Sequence, residues 1–388
     1  MRVFDNTEIA FSLKSDSELE RAHFLFKMIS VEPLVRIGTA ATNFALKANL
    51  PIEGLIRSTV FDHFCGGVTE EDCLPVINKM YQKGVSSVLD YSVEGKESEI
   101  EFDNALKKIL DIIEFAKERD AIPIAVFKPS GFGRFDLYMK KNAKIKLSDA
   151  EIEEWQRIEL RFDTVCQKAK NYDVAILIDA EESWIQDAAD ALVTKMMKRY
   201  NTKKPIVFNT LQMYRHDRME FLKKELSKAK LNGYLLGYKV VRGAYMEKEN
   251  DRAEENKYLS PICKNKQATD DNFNMALNYI VNNIETISVF AGTHNEESTH
   301  LLMQLMRENK IKNNDDRVWF GQLYGMSDHI SFNLANLGYN VAKYMPFGPV
   351  KDVMPYLIRR AEENTSVAGQ TGRELTLLRK EKKRRKLT

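Results

Sequence analysis

Residues 174–182 read VAILIDAEE, a short apolar, β-branched run that stops on three carboxylates. A long stretch precedes it, from Asp149 to Lys170, with apolar residues at helical spacing. A short apolar strand alternating with an amphipathic helix is the repeating unit of a parallel sheet. The same kind of run recurs as SSVLDYS (86–92), IPIAVFKPS (122–130), PIVFNTLQMY (205–214), YKVVRGAY (238–245), ISVFAGTHN (287–295), VWFGQLYG (318–325) and NVAKYMPFG (340–348). Eight strand–helix pairs within fewer than 300 residues predict an α/β fold of the TIM type, a closed (β/α)8 barrel, over an open sheet.

Each run ends in chemically capable groups: Asp90 and Glu94, Lys128, Asp179 and Glu181, Gln212, Lys239 and Arg242, Thr293 to Asn295, Gln322, and Tyr344. In a (β/α)8 barrel the active site is built at the carboxyl ends of the strands. Strand ends are also where any chain meets water, so one polar residue there says little. Lys128 and Asp179 say more, because a lone charge directly after apolar strand residues is costly without a partner or ligand.

With 388 residues, 44% of them hydrophobic, the chain can bury a large core. Its 58 basic and 56 acidic residues give a net charge of +2, so no global field calls for nucleic acid or an acidic partner. The basic excess is local, in LRKEKKRRKLT at the C-terminus, which reads as a solvated or disordered tail or, less readily, as a contact for anionic lipid. Residues 16–56 are helix-like, with Leu19, Phe24, Phe26, Met28 and Ile29 on an apolar face, and are expected to form an arm outside the barrel. The predicted organisation is a helical arm (1–56), the barrel (57–368) and a basic tail (369–388).

Cys65, Cys73, Cys166 and Cys263 are scattered, which suggests neither a disulfide framework nor a zinc site and fits a reducing compartment. No run reaches the roughly 18 to 20 apolar residues that span a bilayer. The six histidines offer no HxH pair, so His294 is not read as a metal ligand and no metal is expected. The expected placement is cytoplasmic, with peripheral contact to the inner membrane as the variant the basic tail allows.

After the eighth run comes KDVMPYLIRRAEEN (351–364), a helix with Pro355 expected in its first turn. Tyr356, Arg359, Arg360 and Glu363 lie at i, i+3, i+4 and i+7 on one face; Val353, Leu357, Ile358 and Ala361 form an apolar side. Two adjacent guanidinium forks beside a tyrosine suit a carboxylate ligand. The competing reading is an ordinary surface helix with an Arg–Glu pair.

In this order, DYSVE (90–94), the lysine of VFKPS, IDAEE (178–182), QMY (212–214), KVVRGAY (239–245), GTHN (292–295), QLYGM, YMPFG (344–348) and YLIRRAEENTS (356–366) resemble proline dehydrogenase, including the dehydrogenase barrel of bifunctional bacterial proline-oxidising enzymes. The resemblance implies a distorted (β/α)8 barrel that holds FAD at the carboxyl ends of its strands and oxidises L-proline to 1-pyrroline-5-carboxylate. It implies that Arg359 and Arg360, with Lys128, bind proline's carboxylate, that Tyr344, Tyr356 and Leu323 pack against its ring, and that Glu94 pairs with Arg359 to close the site. It places Lys239 near flavin N5, with Asp179 orienting the groups around it. Gln212, Arg242, Gly243, Ala244, Tyr245, Thr293, His294, Asn295 and Glu363 are implied to line the flavin.

Lys239 replaces the arginine of the bifunctional bacterial enzymes and looks like the eukaryotic-type branch. Tyr344 stands where hydroxyproline-oxidising relatives carry a smaller residue, which favours proline as substrate. The resemblance further implies a membrane quinone as electron acceptor. Alternatives from other classes are a 4-hydroxyproline dehydrogenase, and a non-catalytic barrel that binds a flavin or an amino acid as a sensor. Nucleic-acid binding by the KKRRK run is not expected, because no basic, aromatic-studded surface accompanies it.

Overall fold

The computed structural model describes residues 3–31, seven positions between 33 and 42, and residues 53–91, 97–366 and 370–387, with the backbone alone at 55, 58, 361–366 and 370–371. Eight strands form: β1 Val85–Tyr91, β2 Ile124–Phe127, β3 Ala175–Ile178, β4 Val207–Gln212, β5 Leu236–Val241, β6 Ile287–Gly292, β7 Val318–Leu323 and β8 Val341–Phe347. They make a closed barrel in sequence order, as the eight runs predict.

Most strands are shorter than their runs. β2 is confined between Pro123 and Pro129, which lack the N–H that a ladder needs. The residues trimmed from the carboxyl ends, such as Lys128 and Asp179, are left in loops where their side chains can reach past the ladder. Helices between the strands start as their sequences direct. Ser98 with Glu101 and Ser148 with Glu151 form capping boxes, each serine side chain accepting from the N3 amide while the glutamate returns a bond. The helix expected from Asp149 to Lys170 runs Asp149–Tyr172 and stops at Asp173, which takes a left-handed φ of 60°.

The chain divides into two compact units, Met1–Val93 with Gln322–Thr388, and Glu94–Gly321. In the first, two apolar clusters form. One joins Phe61, Phe64, Met326, Val353, Tyr356 and Leu357, with Leu323 packed against it. The other joins Phe11, Leu19, Ala22 and Phe26 to Leu375, Leu377 and Leu378.

Three expectations need correction here. In the Asp16–Ile29 helix the buried stripe is Leu19, Ala22, Leu25, Phe26 and Ile29, whereas Phe24 and Met28 face solvent because they fall off the three- and four-residue spacing. The last barrel helix starts at Val350, so Pro355 lies in its second turn, where it cannot donate to the Lys351 carbonyl. The basic C-terminal run is neither solvated coil nor disordered. It belongs to a Gln370–Arg384 helix whose Leu377 and Leu378 are buried at 1% and 0% exposure, each contributing roughly 2 kcal/mol.

Candidate active site

In the Glu94–Gly321 unit, the groups that follow β2 to β6 are held by one another. Lys239, in β5, is aligned in register with Thr210 of β4 and Phe290 of β6. Its ammonium donates to Asp179, the residue after β3, and the two side chains are only 8% and 16% exposed. A pair so far out of water gains little net stability from its charge. Its value is to hold a cation in a fixed place.

Behind Asp179, the Glu181 carboxyl accepts from the Ser130 amide (2.9 Å) and hydroxyl (2.6 Å). Its own amide donates to Gln186 Oε1 (2.9 Å), and its carbonyl accepts from Gln212 Nε2 (2.7 Å). Burial pushes the Glu181 carboxyl up from 4.5 to about 7, against the pull of the Ser130 bonds and the Lys128 charge. Gln212 thus reaches the site through its bond to the β3 loop. Lys128 is half-buried at the end of β2.

Arg242, after β5, donates from Nε to Asp270 (2.6 Å), from one terminal nitrogen to Thr293 Oγ1 (2.9 Å) and from the other to Ser298 Oγ (3.0 Å). Thr293 Oγ1 also accepts from the Asn295 amide, and Asn295 caps the Glu296–Glu308 helix by accepting from the Ser298 amide. Gly243 and Ala244 follow as exposed backbone, and Tyr245 precedes the Met246–Glu255 helix. Gly243 has φ +135°, and a Cβ there would meet the Tyr214 ring at 2.6 Å, so only glycine fits. His294 is half-buried in the loop after β6.

In the other unit, Tyr356 and Arg360 are buried, at 6% and 9% exposure, and the Arg360 guanidinium lies 5.1 Å from the Tyr356 ring centre. Arg359 is half-buried. Tyr356 and Arg360 on this face are therefore packed into the fold. Leu323 shares the apolar cluster of Tyr356, and the Tyr344 carbonyl accepts from the Tyr324 amide beside Leu323 (2.7 Å). Glu94 and the Glu363 side chain lie outside the described residues.

The structure thus brings Asp179 to Lys239, Arg242 to Thr293, and Leu323 to Tyr356. The sequence marks Glu181 only as a strand-end carboxylate, and leaves Ser130 unmarked, as it does Asp270 and Ser298, which hold Arg242. IDAEE carries a weak signal for Glu181, a second acidic group two residues beyond Asp179 at a strand end. Asp270 and Ser298 are helix residues with no local mark.

Lys239, Arg242, Gln212 and Thr293 at the ends of β4 to β6, with exposed backbone at Gly243 and Ala244, suit a ligand rich in hydrogen-bond acceptors. A parallel barrel with such groups after its strands belongs to the class of (β/α)8 enzymes. Residues 73–373 match the family model described as proline dehydrogenase. The chain belongs to the proline dehydrogenase family, and is an oxidoreductase.

It is similar to the carbapenem antibiotics biosynthesis protein CarD of Pectobacterium carotovorum subsp. carotovorum, 37% identical over 337 residues that cover 86% of each chain. It is also similar to the mitochondrial proline dehydrogenase 1 of Dictyostelium discoideum, 31% identical over 98% of this chain and 74% of the relative. Among solved structures, proline utilization A from Bdellovibrio bacteriovorus matches with a TM-score of 0.74 at 21% identity, over 95% of this chain and 40% of that one. That likeness shows the fold, and this chain spans well under half of that structure's length.

Proposed function

We propose that the chain binds FAD at the ends of β3 to β6 and oxidises free L-proline to 1-pyrroline-5-carboxylate. The supporting observation is the Lys239–Asp179 pair, an ion pair with little exposure in a family of proline oxidoreductases. FAD bound there would supply the acceptor for a hydride from proline C5. Lys239, fixed by Asp179, offers positive charge where the reduced cofactor becomes more negative. Arg242, Gln212 and Thr293, with Asn295 and the backbone at Gly243 and Ala244, hold the cofactor's polar groups. Arg359 and Arg360 take the substrate carboxylate as a planar fork. Tyr344, Tyr356 and Leu323 set the ring's orientation and keep water from it.

No side chain among these is a general base, so proline binds with its amine neutral, and the rate rises with pH through the amine titration. The electron acceptor in this reading is a membrane quinone. No helix among the described residues is long and apolar enough to cross a membrane. The likeness to a protein named for carbapenem biosynthesis favours a second reading of the product's fate, in which the cyclic imine or a derivative feeds a biosynthetic step; the oxidation itself is the same.

The test is an anaerobic absorbance spectrum of the protein reconstituted with FAD, before and after L-proline and then trans-4-hydroxy-L-proline. Bleaching by proline, and slower bleaching by hydroxyproline, is expected. Preferential bleaching by hydroxyproline would move the substrate and remove the role given to Tyr344. A protein that takes up no flavin would return the barrel to the sensor reading.

A further inference from the structure

The turn from Leu323 to Ser327, between β7 and the Asp328–Asn336 helix, takes two residues into the left-handed region, one of which its sequence does not favour there. Gly325 has φ +79°, with the His63 carbonyl 2.2 Å from where a Cβ would sit, and Ser327, which is not a glycine, has φ +52°. Backbone of this kind persists only where the surroundings over-determine it.

Lys343, one residue before Tyr344 in β8, supplies part of that constraint. Its side chain is completely buried, and Nζ donates to Met326 O (2.5 Å), to Asp328 Oδ1 (2.7 Å) and, at 3.5 Å, to Leu323 O. His63 fixes the turn from the other side. Burial pushes its imidazole down to about 3, so the ring is neutral and Nε2–H donates to Gly325 O (2.9 Å).

The second oxygen of Asp328 meets Lys14 Nζ at 3.1 Å. Burial by itself would raise the Asp328 carboxyl, but Lys14 and Lys343 outweigh it and hold the group well below the usual carboxylate range. Lys14 is itself held from behind. The Arg385 guanidinium donates to Lys14 O (2.7 Å) and Phe11 O (2.8 Å), while Lys380 and Arg373 bond to Asp5. Glu374, on the same C-terminal helix, faces His329 Nδ1 at 3.6 Å; burial alone would lower the Lys14 ammonium, but Asp328 foremost, with a smaller part from Glu374, raises it above its usual range.

We propose that Lys343, Asp328 and Lys14 form a positioning relay: the chain's N-terminal segment, gripped by the basic C-terminal helix, sets the Leu323–Ser327 turn and through it the ring-contacting wall of the substrate site. The inference rests on the role proposed for Leu323. It gives the KKRRK run an intramolecular task, because Arg385 within it is bonded to the chain's own carbonyl groups.

None of the relay residues touches substrate, so the expected defect is selective. Dissociation constants are read at equilibrium, without turnover, from the shift in flavin absorbance of the FAD-loaded protein. One ligand is cyclopentanecarboxylate, which carries ring and carboxylate; the other is acetate, which carries the carboxylate alone. K343M weakens the ring-bearing ligand about tenfold and K14M about threefold, while acetate changes by less than about twofold. In turnover the same variants raise KM for L-proline more than they lower kcat.

Equal weakening of both ligands, or no weakening of either, overturns the relay. If K343M does not fold, K14M decides by the same criterion, since its side chain is 22% exposed and leaves Asp328 paired with Lys343. Wild-type protein that binds flavin but neither ligand overturns the substrate reading beneath the relay, and the relay with it. Wild-type binding with an unselective defect overturns the relay alone.

Discussion

The groups after β3 to β6 and the turn after β7 solve the same problem differently. Lys239, Asp179, Gln212, Arg242 and Thr293 are fixed mainly by residues on neighbouring strand ends and helix starts. The Leu323–Ser327 turn depends on residues from both ends of the sequence, Lys14 and His63 on one side and Lys343 on the other, with Arg385 behind Lys14. A polar site can be preorganised by ion pairs between adjacent strands, because charge acts over a distance and needs few partners. An apolar wall offers no such directional bond, so its backbone must be held from outside.

The largest expected effect tests the first half of that contrast. Lys239→Met should slow anaerobic flavin reduction by roughly a thousandfold with flavin still bound, as loss of a preorganised charge does. A loss below tenfold in stopped-flow absorbance would show that the Lys239–Asp179 pair is structural.

Glu181 comes next. Its folded-state pKa is raised from 4.5 to about 7, so the unfolded chain gives up the proton first. Below 4.5 both states hold the proton and there is no penalty. As pH rises through 7 the penalty grows to about 3 kcal/mol. Glu181→Gln should therefore flatten the fall in unfolding free energy of the flavin-free protein between those pH values, as measured by urea denaturation. An unchanged slope would place the titration elsewhere.

On the substrate side, Arg360→Lys should raise KM for L-proline by about thirtyfold, because an ammonium cannot reproduce the planar fork. A change in kcat alone would remove the arginine from carboxylate binding. The smallest effect belongs to Tyr344→Ala, which should shift the ratio of kcat/KM for 4-hydroxyproline over proline by about tenfold, the scale of a modest change in pocket size. An unaltered ratio would mean that Tyr344 does not face the ring carbon in question.

The contrast also explains what could be read in advance. All eight strands were legible, since buried parallel strands are apolar runs broken by helices, and so was the place of Asp179, Lys239 and Arg242 at strand ends, whose charges are conspicuous against such runs. The partners of Arg242 were not, because Asp270 and Ser298 look like any surface residues of a polar helix. Lys343 sits inside the eighth run with nothing in the sequence to mark its surroundings; only the fold shows its side chain enclosed with three oxygen acceptors. The C-terminal run was misread for a related reason. Most of its basic side chains are exposed, as a block of like charge predicts, but the run is helical, and Lys380 and Arg385 bond to acceptors more than 360 positions away in sequence.

The most direct test of flavin-dependent proline oxidation is single-turnover reduction of the FAD-loaded protein, without oxygen, by L-proline and by L-proline deuterated at C5. The account predicts complete bleaching of the flavin absorbance, slowed by deuterium with a primary isotope effect. Flavin that stays oxidised with saturating proline, or bleaching that deuterium at C5 leaves unchanged, would contradict it.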